Sequence, residues 1–205
     1  MNIHKTRNIW CVGRNYSEHA KELGNTIPEK PIIFLKAGSC LQASNDQLVF
    51  PFWLKNIHHE IEVVLQVGED FNFLNAYLGI DFTERTLQEE LKKNSHPWTL
   101  AKSFPGAAAI SSALPAKKMS DLVSLNFQLS VNGQLRQNGN TDDMIFSFDK
   151  ILSHVKEHFP ICPYDLIFTG TPHGVNQVKS KDLLEISCSL GVKHIWTIHQ
   201  PEMKR

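Results

Sequence analysis

Apolar residues along this chain fall mostly into short runs and period-two alternations, with helical spacing in only a few places. Ile9-Trp10-Cys11-Val12 ends at Gly13, while Ile32-Ile33-Phe34-Leu35 and Leu166-Ile167-Phe168 are unbroken apolar runs, the pattern of strands buried on both faces. The stretch from Ile57 to Val67 alternates as one strand, and Ala76-Tyr77-Leu78-Gly79-Ile80 reads as a further strand with Asp81 at its end. Leu125, Phe127, Leu129 and Val131 alternate against Asn126, Gln128 and Ser130, then run into Asn132-Gly133, the dipeptide of a two-residue hairpin turn. Further strands are expected near 183–188 and 194–198. Helical spacing occurs over 14–23, where Asn15 or Ser17 can cap and Gly24 closes, over 83–93, and over 144–159. The last of these carries Phe148, Ile151, Leu152, Val155 and Phe159 on one face, and residues 137–141 before it read as a loop.

Composition narrows the classes. A length of 205 residues allows one domain with a sizeable core. Lys plus Arg equals Asp plus Glu at 21 each, so net charge gives no reason to expect nucleic acid or a membrane surface as partner. Cys11, Cys40, Cys162 and Cys188 form no C-x-x-C pair and read as reduced thiols. The first eight residues lack the apolar segment of a secretory signal, and no apolar run is long enough to cross a bilayer. A soluble, cytoplasmic protein is expected. Neither a G-x-G-x-x-G nor a Walker A pattern occurs, which argues against a dinucleotide or P-loop enzyme.

Candidate chemistry centres on Glu60 and Glu62. Two apart on a strand, they share a face, where like charges repel unless a cation lies between them. Mg²⁺, Mn²⁺ or Ca²⁺ would suit such hard oxygen ligands; a solvated strand face is the alternative. Asp81, at the end of another strand, is a third candidate ligand. His19 and Glu22 stand i, i+3 on a helix, as a carboxylate–imidazole base acting on water or as a surface pair. Lys36 ends an apolar strand, facing either an anionic substrate or solvent. Lys102 lies between aromatic and small residues, where burial would lower its pKa and an acid would raise it. Thr169-Gly170-Thr171-Pro172 follows a strand and could offer backbone N–H groups and a hydroxyl to a ligand oxygen. His154-Val155-Lys156-Glu157-His158 matches a short H-x-x-E-H zinc pattern without an evident third ligand, and amphipathic filler is the better account.

Taken in order, several blocks resemble the fumarylacetoacetate hydrolase family, most closely its short acylpyruvase-like and oxaloacetate decarboxylase-like members. They are Cys11-Val12-Gly13-Arg14-Asn15-Tyr16 with His19 and Glu22; Lys30-Pro31 with Phe34-Leu35-Lys36; His59-Glu60 with Glu62; Asp81 with Thr83, Arg85 and Gln88; Leu100 to Phe104; Gly139-Asn140-Thr141; and Thr169 to Pro172 with Gly174-Val175. The resemblance implies an α+β fold of several packed mixed β-sheet layers with a few peripheral helices. It also implies a single catalytic domain over 1–205, with the strand and lid helix of about 9–24 packed on it, and a homodimer. Glu60, Glu62 and Asp81 are then metal ligands for Mg²⁺, with Mn²⁺ or Ca²⁺ as substitutes. His19 and Glu22 become a water-activating dyad on a lid, Lys102 a catalytic group near the metal, and Arg14, Arg85, Gln88, Gly170 and Thr171 substrate-binding residues. The implied partner is a small 2-oxo or 2,4-dioxo acid, and the implied reaction is hydrolysis of a C–C bond in acylpyruvates. Oxaloacetate decarboxylation, or isomerisation or hydration of unsaturated 2-oxo acids, is the alternative. A non-catalytic dimeric binding protein is the reading from another class, disfavoured by retention of His19, Glu22 and Lys102.

Overall fold

The computed structural model describes residues 3–17, 28–42 and 46–202. His19 and Glu22, with most of the helix expected over 14–23, lie outside the described residues. In chain order the strands are β1 (Asn8–Gly13), β2 (Ile32–Ala37), β3 (Leu41–Gln42), β4 (Gln47–Val49), β5 (Ile57–His59), β6 (Ile61–Val67), β7 (Phe73–Asp81), β8 (Thr83–Glu84), β9 (Ala108–Ala113), β10 (Asn126–Val131), β11 (Gln134–Asn140), β12 (Leu166–Phe168), β13 (Asn176–Gln177), β14 (Leu183–Cys188) and β15 (Lys193–His199). The described α-helices are α1 (Arg85–Lys93), α2 (Thr99–Lys102) and α3 (Phe148–His158). Strands form a seven-stranded sheet in the order β2-β1-β12-β6-β7-β9-β3, a five-stranded sheet β11-β10-β14-β15-β4 and a three-stranded sheet β13-β5-β8. β1 runs parallel to β12, β3 to β9 and β4 to β15, so the two larger sheets are mixed. The fold is therefore α+β, as the sequence implied.

The central strand explains the layering. All seven residues of β6 are buried. Ile61, Val63, Leu65 and Val67 point into the main core with Ala76, Leu78 and Ile80 of β7, against Phe127, Leu129 and Trp196 from the five-stranded sheet. Each valine, leucine or isoleucine among them contributes about 1.5–3 kcal/mol by leaving water. Val64 points to the opposite face and packs with Ile9, Cys11, Tyr77, Ala108, Leu166 and Phe168. By alternation Glu62 and Asp81 belong to that second face.

Register then assembles the site. Residues 68–72 close a tight hairpin, with Gly68 N–H donating to Asn72 O at 2.8 Å and Phe71 N–H to Gly68 O at 3.1 Å. It sets Ile61 opposite Ile80 and Glu62 opposite Gly79. Asp81 N–H donates to Glu60 O at 2.9 Å, which extends the pairing one step beyond the strand. Gly79 has no side chain to fill the space facing Glu62; a Cβ there would lie 2.6 Å from Val64 Cγ2 and 2.9 Å from Phe168 Cε1.

Several expectations change. The strand expected over 57–67 is two strands in different sheets, broken at Glu60. β2 is the edge strand of its sheet and is not buried on both faces: Leu35 is exposed while Lys36 is fully buried. The expected loop 137–141 is mostly strand β11, and β9, built largely of alanine and serine, carries too little apolar contrast for alternation to reveal it. The helix expected from Met144 starts at Phe148, because Ser147 caps it by accepting from Lys150 N–H at 3.4 Å. The Asn132-Gly133 turn is as expected, with φ of 52° and 75°.

Candidate active site

At one end of the seven-stranded sheet the chain concentrates buried charge. Glu60 sits at the break between β5 and β6, Glu62 one pleat further on, and Asp81 at the end of β7. Each offers a carboxylate oxygen, and these oxygens lie within 4.8 Å of one another. Glu62 accepts from Gly170 N–H at 2.6 Å. Burial, then Asp81 and then Glu60 push the Glu62 carboxyl well above its usual range against that hydrogen bond.

Two buried lysines hold this acidic cluster from different sides. Lys102, the last residue of α2, donates to Glu60 Oε2 at 2.9 Å, Asp81 Oδ2 at 2.7 Å and Thr83 Oγ1 at 2.5 Å, which accounts for its three protons. Burial alone would lower its pKa, but Asp81 and Glu60 outweigh burial and hold the ammonium above the ordinary lysine range. Lys36 reaches the cluster from β2 and donates to the carbonyls of Phe82 at 3.0 Å, Ala107 at 2.9 Å and Lys102. Asp81 Oδ1 is only 2.7 Å from Lys36 Nζ, yet it receives no hydrogen bond, because the three lysine protons go to those carbonyls. A buried carboxylate oxygen with a cation beside it and no donor is a ligand atom in waiting. Three hard oxygen donors on rigid strands fit a divalent cation of the Mg²⁺ or Mn²⁺ type.

Helix α1 supplies the next wall. Glu84 caps it by accepting from Leu87 N–H at 2.5 Å. Its first residue, Arg85, donates to Glu60 Oε1 at 2.6 Å and to Gln88 Oε1 at 2.7 Å. On the far side Asn15, fully buried, donates to Thr169 O at 2.7 Å and Phe146 O at 3.1 Å, while its own Oδ1 accepts from Phe146 N–H at 2.7 Å. It ties the end of β1 to the turn after β12. Gln137 of β11 holds the same turn from the other sheet. Its Oε1 accepts from Ile61 N–H at 3.0 Å and pairs with His59 Nδ1 at 2.8 Å, and its Nε2 donates to Thr171 Oγ1 at 2.8 Å and Pro172 O at 3.0 Å.

The resulting open cleft is lined by the three carboxylates, by Arg14, Arg85, Lys92 and Lys102, by Gln88 and Thr171, and by Val12, Ile32, Phe34 and Trp98. The structure thus brings Arg14, Glu60, Glu62, Asp81, Arg85, Gln88, Lys102 and Thr171 to one place. Gly170 is there too, although its N–H is committed to Glu62. Asn15, Thr83 and Gln137 were not expected as site residues, and Lys36 was expected to face either a substrate or solvent, not to hold the acidic cluster. Asn15 and Lys36 lie inside the resemblance blocks but read as a cap and a strand end; Gln137 gave no signal, since its partners lie at least 34 positions away. The two histidines of the H-x-x-E-H pattern stack on each other at the exposed end of α3, with ring centroids 4.3 Å apart, and no third metal-ligating side chain joins them among the described residues.

An end-of-sheet cleft with a buried Glu-x-Glu and Asp cluster, backed by lysine, belongs to a recognised class. Residues 8–195 match the family described as Fumarylacetoacetate (FAA) hydrolase C-terminal, and the chain is a member of that family. It is 39% identical over 189 residues to the mitochondrial oxaloacetate tautomerase of Mus musculus, covering 87% of this chain and 86% of that one. It is 36% identical over 190 residues to the mitochondrial oxaloacetate decarboxylase of Dictyostelium discoideum, covering 87% of each. Among solved structures, the fumarylpyruvate hydrolase of Pseudomonas aeruginosa in complex with Mn²⁺ and pyruvate superposes with a TM-score of 0.87 at 28% identity, covering 96% of this chain and 91% of that one. The expected compartment was the cytoplasm, whereas these two curated relatives are named as mitochondrial; no helix among the described residues is long and apolar enough to cross a membrane.

Proposed function

We propose that this chain is a divalent-metal-dependent enzyme that converts oxaloacetate, by keto–enol tautomerisation, decarboxylation or both. The observation that carries the reading is the convergence of Glu60, Glu62 and Asp81 with a protonated Lys102 in one cleft. The names of the mouse and Dictyostelium relatives favour oxaloacetate over the acylpyruvates that the sequence put first. Glu60, Glu62 and Asp81 would hold the ion, Mg²⁺ by expectation and Mn²⁺ as in the Pseudomonas relative. Bound there, it would supply Lewis acidity to the 2-oxo oxygen and the adjacent carboxylate.

Both reactions pass through negative charge on that oxygen. In tautomerisation a proton leaves C3; in decarboxylation the C3–C4 bond breaks, CO₂ departs and its electron pair moves into the C2–C3 enolate. Lys102 is held protonated by Asp81 and Glu60, so it serves as a fixed cation facing this charge and not as a base. Arg85 and Gln88, already joined to each other, and Thr171 orient the oxygens of the 2-oxo acid head. His19, with Glu22, remains the candidate for moving the proton at C3. The chain would act as a single catalytic domain and, as the resemblance implies, as a homodimer.

A second reading, hydrolysis of 2,4-dioxo acids, is favoured by the likeness to the Pseudomonas fumarylpyruvate hydrolase. The test is turnover of oxaloacetate, followed as enol absorbance and as pyruvate release, beside acetylpyruvate cleavage, with Mg²⁺ and after EDTA. Oxaloacetate conversion that needs the ion and falls about 10²-fold or more in Lys102→Met supports the proposal. Efficient acetylpyruvate cleavage with no effect on oxaloacetate replaces it with the second reading, and turnover indifferent to EDTA overturns both.

A further inference from the structure

Helix α1 presents more than Arg85 and Gln88 to the cleft. Lys92 follows at i+7 from Arg85, so the three share one face, and Lys92 stands about 10 Å from Arg85 along the helix axis. Its ammonium lies over the Trp98 ring at 4.9 Å; Trp98 packs on Phe34 with centroids 6.0 Å apart, and Lys102 Nζ lies over Phe34 at 4.9 Å. One aromatic wall therefore carries a cation at each end, Lys102 beside the carboxylates and Lys92 outside.

Charge around the cleft is unbalanced in the same direction. Four cations line it, Arg14, Arg85, Lys92 and Lys102, against three carboxylates. Lys102 and Arg85 are paired with carboxylates, while neither Arg14 nor Lys92 has an ion pair among the described residues. Lys92 is exposed at the rim, yet partial burial against the cleft wall first, then Arg85, Lys102 and Arg14, lower its pKa from the ordinary lysine value. With a divalent ion on the carboxylates, the lining would carry three excess positive charges, which a dianion offsets better than a monoanion. Arg14, which lines the cleft, has a left-handed backbone, φ 60°, rare outside glycine.

We propose that Lys92, with Arg14 close by, reads a second anionic group at the far end of the substrate, so that the site selects 2-oxo dicarboxylates over 2-oxo acids with neutral tails. This deepens the oxaloacetate reading and rests on it. A four- or five-carbon dicarboxylate extends from the acidic cluster along the Phe34–Trp98 wall toward the Lys92 ammonium that lies over Trp98. Lys92 is a specificity residue in this account and takes no part in bond breaking.

The test separates the two layers by using binding as well as turnover. Calorimetry on the Mg²⁺-loaded protein compares 2-oxoglutarate with 2-oxobutyrate, which share the 2-oxo acid head and differ in the distal carboxylate. The wild type is expected to favour the dicarboxylate about tenfold or more, Lys92→Gln to lose most of that preference, and Lys92→Arg to restore it. For oxaloacetate, the loss in Lys92→Gln should appear in KM, with kcat little changed. Equal affinities in the wild type, or a preference that survives Lys92→Gln, overturns the proposal. Absence of oxaloacetate turnover with the binding preference intact sinks only the reading of the reaction.

Discussion

Lys36 is the residue whose replacement should be most informative about how the site is held. In Lys36→Met, of similar length, the carbonyls of Phe82, Ala107 and Lys102 lose their donor, and Asp81 loses the cation 2.7 Å away. An orphaned buried acceptor costs about 1–3 kcal/mol, and breaking one side of a buried pair about 3–5 kcal/mol; the two overlap here, so roughly 4 kcal/mol is the expected loss. Against a total stability on the order of 5–15 kcal/mol, that is a large fraction. With an m-value of about 2.5 kcal/mol/M in urea, the midpoint should fall by about 1.5 M, read by far-UV circular dichroism in the absence of divalent ions. A double variant, Lys36→Met with Asp81→Leu, removes both charges and should recover much of the midpoint, though not ion binding. A shift below about 0.3 M in the single variant would refute the reasoning, since Lys36 would then contribute no more than a surface lysine.

Two further outcomes follow from the same cluster. Glu62 is raised by burial and by Asp81, so the folded chain keeps a proton that the unfolded chain releases above about pH 4.3. Stability without divalent ions should fall as pH rises from there through the folded value, and added Mg²⁺ should oppose the fall. Glu62→Gln should flatten the slope, raise the ion-free Tm at pH 8 and abolish the Mg²⁺-dependent increase; an unchanged slope in a Tm-versus-pH series contradicts this. Gly170 holds φ at 105°, and a Cβ there would sit 2.6 Å from Asn15 Cβ. Gly170→Ala should cost about 2–3 kcal/mol and weaken ion binding by moving the N–H that Glu62 accepts, whereas an unshifted Tm would show that the turn is not constrained.

The parts of this molecule written in local pattern are legible in the sequence. Leu166–Phe168, the alternation through β6 and the Asn132-Gly133 turn each depend on residues adjacent in sequence. Glu60 and Glu62 likewise share a face through strand geometry alone. Asp81 joins them through register, set by a hairpin whose length could be counted but whose pairing could not. Lys36 was ambiguous because a lysine at a strand end has the same local pattern whether it meets Asp81, 45 positions on, or water. The break at Glu60 was hidden for a similar reason: β5 and β6 belong to different sheets, and nothing in the alternating run marks the change of neighbours.

The amide of Gln137 decides more than where a turn sits. Ile61 N–H can only donate and Pro172 O can only accept, so the side chain is locked in one orientation, with its NH₂ toward Thr171. The threonine oxygen must accept that proton, which leaves its own hydrogen to be given elsewhere, and Thr171 lines the cleft. Gln137 thus sets the polarity of a group it does not share a sheet with. Exchange of this one amide for a carboxylate of equal shape would turn the threonine hydroxyl inward as a donor to position 137, presenting lone pairs to the cleft where a proton had been. An anion-accepting wall would become an anion-repelling one, and the new oxygen would also oppose Pro172 O, acceptor against acceptor, so the turn itself would be pushed away.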